Sequence, residues 1–298
     1  MRSPPFLLLF FILIFSPLLT TVSSTSSTSS TLPHAVEVYK SPPITSSLET
    51  YLHTLVPSSI THTGDTDFSS HLSGVGRLLQ GWGSPPFLVN SGLFHSLYGT
   101  EGFQGYKVPW GERSKVGSVI GEESERFAFW FCVVDRLAVD EACRFLVEAG
   151  KGGEEVTLRS RPELGAFDMV LSYGDFLAFV ELQLADWMEQ VEGAAGKENE
   201  LFGWRKGEAW SYRRYGYRDM VTLLSRELGD RGDIIRRTYR DVMGREPEGT
   251  RGLVQEVTPP MNEAAKEARE VWRTVKGGME EERWKVRRLG ETGGDEEL

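Results

Sequence analysis

Three of the chain's five histidines, His62, His71 and His95, fall between Thr61 and Arg136, and two of them sit on successive runs of helical period. Histidine is the side chain that most often ligates metals or moves protons near neutral pH. Phe68, Leu72, Val75, Leu79 and Trp82 recur at steps of three and four, which predicts an amphipathic helix. Asp67 or Ser69 is placed to cap its start, and Gly83 with Pro85 to end it. His71 shares its spacing with Val75, Leu78 and Trp82, so it is expected to face inward. The run from Phe87 to Tyr98 is apolar nearly all round, as a central buried helix is. His95 lies near the end of that run, where unpaired carbonyls and the helix dipole favour a cation. A third helix carries Val116, Val119 and Ile120 and breaks at Gly121. A fourth is expected to continue from about Glu122 to Glu148, with Phe127, Phe131, Val134 and Ala138 inward. Asp135 sits one position off that stripe, where burial is costly without a partner.

These residues resemble the HD superfamily of metal-dependent phosphohydrolases: a histidine on one helix, a second on the next buried helix, and a later aspartate. They look most like a small HD-like family of unknown function. Its marks are present as His62-Thr63-Gly64, His71-Leu72 with Trp82-Gly83, and the string Gly92-Leu93-Phe94-His95-Ser96-Leu97-Tyr98-Gly99-Thr100. Ile120-Gly121-Glu122-Glu123 and Asp135-Arg136 complete the set. More distantly, the layout is similar to the hydrolase domain of bacterial alarmone synthetase-hydrolases. The resemblance covers about residues 45–195 and implies an HD-like helical bundle with a metal site at His71, His95 and Asp135. His62, Ser96, Thr100 and Arg136 are further candidates around that site. The implied cofactor is a divalent metal (Mn, Zn, Fe or Mg), and the implied partner a phosphorylated small molecule.

The chain departs from the pattern at two places after the second histidine. Active members follow the second histidine with a metal-ligating aspartate, and Ser96 stands there instead. The alarmone hydrolases add a Glu-Asp pair where this chain has Gly99-Thr100. A hydroxyl is a far poorer ligand for a hard cation than a carboxylate. Two readings of function follow. One is a metal-dependent phosphohydrolase acting on a nucleotide or phosphate ester. The other is a catalytically reduced HD-like module that binds a small ligand or a protein partner.

The rest of the chain is read around this core. Arg2 precedes an apolar run from Phe6 to Val22, so residues 1–22 are expected to be a secretory signal peptide or signal anchor, or the first part of an organelle address. A Ser/Thr-rich linker fills 23–44, and the membrane is expected to matter only through this leader. About 270 residues remain after the leader, enough for one large or two small domains. Leu48 to Val56 is expected to be a short leading helix. Val156–Leu158 and Phe167–Leu171 flank turn residues and predict a small β-hairpin. Asp175 is expected to cap a helix to about Glu192, with Glu181, Asp186, Glu189 and Gln190 on its solvated face.

Beyond residue 195 a helical C-terminal extension runs to 289, with a disordered tail at 290–298. Trp210, Tyr212, Arg213, Arg214, Tyr215, Tyr217 and Arg218 interleave aromatic and basic side chains. A helix covering the core with its aromatics and showing its arginines to water is the expected reading. Net charge is −10, which argues against a nucleic-acid binder. Asn262 to Leu289 is highly charged and is expected to be a solvated helix. Cys132 and Cys143 lie eleven residues apart; on one helix that is roughly 16 Å, too far for a disulfide. The fold class is therefore mainly α, with one hairpin.

Overall fold

The computed structural model describes residues 46–56, 67–100, 107–165, 167–198, 205–250 and 283–289. The leader, the linker, His62 and the C-terminal tail lie outside these residues. All described residues belong to one compact unit. None of their helices is long and apolar enough to cross a membrane.

The fold is mainly α-helical. Helices α1 (Ser46–Leu55), α2 (Phe68–Trp82), α3 (Pro86–Phe94), α4 (Arg113–Ile120), α5 (Glu122–Val133) and α6 (Arg136–Ala149) come first. Strands β1 (Gly153–Arg159) and β2 (Asp168–Ser172) follow, then α7 (Tyr173–Ala195), α8 (Arg214–Glu227), α9 (Asp230–Gly244) and β3 (Trp284–Arg288). Helix α7 is the axis. It packs against α2, α3, α5, α8, α9 and the hairpin, and it is buried on nearly every side from Phe176 to Met188. Its N-cap is Ser172, whose hydroxyl accepts from the Asp175 amide, so Asp175 sits inside the first turn and is not itself the cap.

Two sequence expectations are corrected. The helix expected from Glu122 to Glu148 is two helices. Val134 takes extended backbone angles and bridges to Ser160, and the Asp135 amide donates to the Arg159 carbonyl at 2.9 Å. The apolar stripe continues across the break, so periodicity alone cannot see it. Cys132 and Cys143 therefore lie on different helices; both are buried and free. The second correction is β3, which lies in the segment expected to be a charged helix. Trp284 and Val286 are half-buried while Lys285 and Arg287 are exposed, a period of two, and the strand pairs antiparallel with β1 to give the order β2-β1-β3.

The aromatic–basic run partly follows expectation: Trp210, Tyr212 and Tyr217 are buried. Arg213 is buried as well, because its Nε and Nη2 bind both carboxylate oxygens of Asp140 at 2.7 and 2.5 Å.

Candidate metal centre

Three helices bring the centre together. Asp67 caps α2 through the Ser70 amide, and His71 stands one turn in, on the apolar face that the spacing predicts. His95 ends α3, since the helix stops at Phe94 and a turn follows. Asp186 comes from the middle of α7. Their exposures are 1%, 0% and 3%, so bulk water does not solvate the group.

The three ligand atoms form a nearly equilateral triangle. His71 Nε2 and His95 Nε2 each lie 3.2 Å from Asp186 Oδ1, and 3.3 Å from one another. Each atom is then about 1.9 Å from the common centre, so an ion with bonds of ~2.1 Å would sit within about 1 Å of their plane. The angles between such bonds are roughly 100°, between octahedral and tetrahedral values. A buried His-His-Asp group of this kind can hold a metal, and it is the one such group among the described residues.

The far nitrogens support the same reading. His95 Nδ1 lies 2.8 Å from the Gly92 carbonyl, which only accepts. His71 Nδ1 meets the Glu189 carboxylate, again an acceptor when ionised. Protons held at both Nδ1 atoms leave both Nε2 atoms as acceptors, facing a carboxylate oxygen. Three acceptors within 3.3 Å of one another repel unless a cation or a proton lies among them. For His71 a proton is available. Burial alone would lower its pKa, but the hydrogen bonds to Asp186 and Glu189 outweigh burial and raise it to about 9. Burial alone would raise Asp186, yet its hydrogen bonds with His71 and His95 and the charge of Arg136 hold it well below the usual carboxylate range. A divalent ion can replace that proton.

Of the expected ligands, His71 and His95 come together and Asp135 does not join them. Asp135 caps α6, its Oδ1 accepting from the Leu137 amide at 3.0 Å, with Arg283 Nε 3.8 Å from Oδ2. Asp186 supplies the carboxylate instead. Arg136 lies beside the group, its Nη1 3.8 Å from Asp186 Oδ2. Ser96 and Thr100 are both buried in the turn and loop after His95. His62 lies outside the described residues. The Cys132 thiol donates to the His95 carbonyl at 3.0 Å, and burial pushes its pKa up to about 12.

Sequence reasoning missed Asp186 and Glu189 by placing them on a solvated face. Their signal was present as a pair at i and i+3 on a helix otherwise buried nearly all round, where a carboxylate needs a partner. Glu181, on the same helix, is also buried but serves elsewhere: it accepts from the Ser84 hydroxyl at 2.5 Å and pairs with Arg231 at 3.4 Å.

A family model described as a domain of unknown function (DUF6817) matches residues 51–136. That span includes His71 and His95 and ends at Arg136, short of Asp186. No curated protein and no solved structure matches the chain.

Proposed function

We propose that this chain binds one divalent cation at His71, His95 and Asp186, and that it is an HD-like metal-dependent phosphohydrolase acting on a nucleotide or phosphate ester. The observation that carries the reading is the triangle of three ligand atoms whose imidazoles are both anchored at Nδ1 by acceptors. Two imidazoles and one carboxylate suit Mn, Fe or Zn better than Mg, which prefers an all-oxygen shell.

When bound, such an ion supplies Lewis-acid polarisation of a phosphoryl oxygen. The chain's own residues do the rest. Glu189 and the Gly92 carbonyl fix the two imidazole planes. Gln190 donates to Asp186 Oδ1 at 2.9 Å and steadies the carboxylate. Arg136 keeps a positive charge beside it. Ser96, in the place where active relatives of the resembling superfamily carry aspartate, withholds a second carboxylate and leaves the cation short of anionic ligands.

That serine, with the near-complete burial of the group, favours a second reading: a catalytically reduced HD-like module that binds a small ligand or a protein partner. One experiment separates the readings. The full chain is loaded with Mn²⁺ or Zn²⁺, desalted and analysed for metal by mass spectrometry, then assayed against p-nitrophenyl phosphate and a nucleotide panel. About one ion per chain is expected, lost in His95→Ala and Asp186→Asn, with hydrolysis following the metal. A metal-bound but inert protein supports the module. A protein that stays metal-free in excess Mn²⁺ and Zn²⁺ overturns the metal site and the hydrolase, and leaves the module alone.

A further inference from the structure

Three buried side chains around Asp186 carry polar atoms that meet no hydrogen-bond partner among the described residues. They are Arg136 Nε, Trp187 Nε1, and both amide atoms of Gln183. Each residue is more than nine-tenths buried. Native interiors rarely leave such groups unmet, and each one asks for an explanation.

Their placement is common. Gln183 and Trp187 are four residues apart on α7, hence on one face, and Asp186, three residues after Gln183, lies on the adjoining edge of that face. Arg136 opens α6, and its Nη1 lies 3.8 Å from Asp186 Oδ2. Neighbouring contacts hold these elements in place. Trp187 stacks on Tyr217 with ring centroids 4.3 Å apart, the Tyr217 hydroxyl accepts from Arg213 Nη1 at 3.3 Å, and Arg213 Nη2 donates to the Arg136 carbonyl at 3.2 Å. The unmet groups are chiefly donors, and one of them carries a charge.

Charge counting points the same way. Asp186 is the carboxylate that faces Arg136. Once Asp186 ligates a divalent ion, the two carboxylates Asp186 and Glu189 stand against that ion and the Arg136 guanidinium. One positive charge is left over in a buried place, which is costly until an anion joins it. Arg213 does not alter the count, because Asp140 neutralises it.

We propose that Arg136, Gln183 and Trp187 form an oxyanion subsite beside the metal group and receive the phosphoryl group of the substrate. The proposal rests on the metal reading for its charge argument, and on the unmet donors independently of it. The Arg136 and Trp187 N–H groups donate to phosphoryl oxygens. The Gln183 amide donates through its nitrogen and accepts, through its oxygen, from a protonated phosphate oxygen. Metal and oxyanion then bind with positive coupling, and the coupling is reciprocal.

Inorganic phosphate is the probe, titrated calorimetrically into the full chain with and without saturating Mn²⁺, with Mn²⁺ stoichiometry measured in parallel. Trp187→Phe keeps an aromatic ring facing Tyr217 and removes the N–H together with part of the indole; Gln183→Met keeps the volume and removes both polar atoms, so it is the cleaner of the two tests. Phosphate is expected to bind wild type at least about fivefold tighter with Mn²⁺ present. Each variant is expected to weaken phosphate roughly 2- to 10-fold while Mn²⁺ stoichiometry holds. Phosphate that binds both variants as it binds wild type, or fails to bind the Mn²⁺-loaded protein, overturns the subsite and leaves these donors to water. Phosphate binding that depends on Gln183 and Trp187 in a protein that takes no Mn²⁺ sustains the subsite and removes the metal reading.

Discussion

At the scale of single residues, Asp67 sets the start of the helix that carries the first histidine. Its carboxylate accepts from the Ser70 amide at 3.0 Å and from the Ser69 and Ser70 hydroxyls at 2.6 Å each. The Ser69 hydroxyl does most to lower its pKa, to about 2. A depressed carboxylate stabilises the fold at pH values above its unfolded pKa of 3.8, and this contribution is lost as pH falls through about 2. Asp67→Ala is therefore expected to cost ~1 kcal/mol at pH 7, measured by denaturant unfolding, with the deficit shrinking as the pH approaches 2. An equal deficit at pH 7 and at pH 2 would show that the cap does not act through its charge. Asp67 was legible from sequence because capping is local: the acceptor and the amide lie three residues apart. Asp186 was not. Its partners are 91 and 115 positions away, and nothing in the composition of its own helix names them.

At the scale of elements, the crossing of α2 and α7 decides whether Glu189 can reach His71. Gly74 lies one turn beyond His71 on α2, and a Cβ there would collide with the Glu189 carboxylate. The glycine is the gap through which the side chain passes. Gly74→Ala is expected to raise intrinsic helix propensity by ~1 kcal/mol and yet to displace Glu189, so that Mn²⁺ binds about tenfold more weakly, in line with losing an outer-shell partner. Competitive titration against a fluorescent chelator measures it. Unchanged affinity would show that Glu189 has no part in orienting the imidazole. The stripe on α2, the near-apolar α3, the break at Gly121 and the β1–β2 hairpin all follow local rules and were legible. The division of α5 from α6 was not, because Val134 remains apolar while its backbone is pulled into an extended bridge by Ser160, 26 positions on. That division is also why Asp135 caps a helix, its side chain accepting from the Leu137 amide.

At the scale of the whole molecule, the His-His-Asp group joins the consecutive helices α2 and α3 to α7, which comes after α4, α5, α6, β1 and β2 in the chain. The first two can be seen from the histidine pattern; the third needs the long-range packing that makes α7 the axis. An ion bound there stabilises only the folded state, because the unfolded chain holds the three ligands far apart. At a free metal concentration a hundredfold above Kd this contributes about 2.7 kcal/mol, or a rise in Tm of roughly 5–10 °C for a chain of this size. The expected record is a Tm that climbs with Mn²⁺ and falls back with EDTA in wild type, and is flat in His95→Ala and Asp186→Asn. Arg136 gives the control. Removing it relieves Asp186 of a cation without removing a ligand, so Arg136→Met is expected to keep the Mn²⁺-dependent rise while losing any further rise on adding phosphate. A Tm that ignores Mn²⁺ in wild type would mean that the proton on His71, and no metal, is what holds the three helices together.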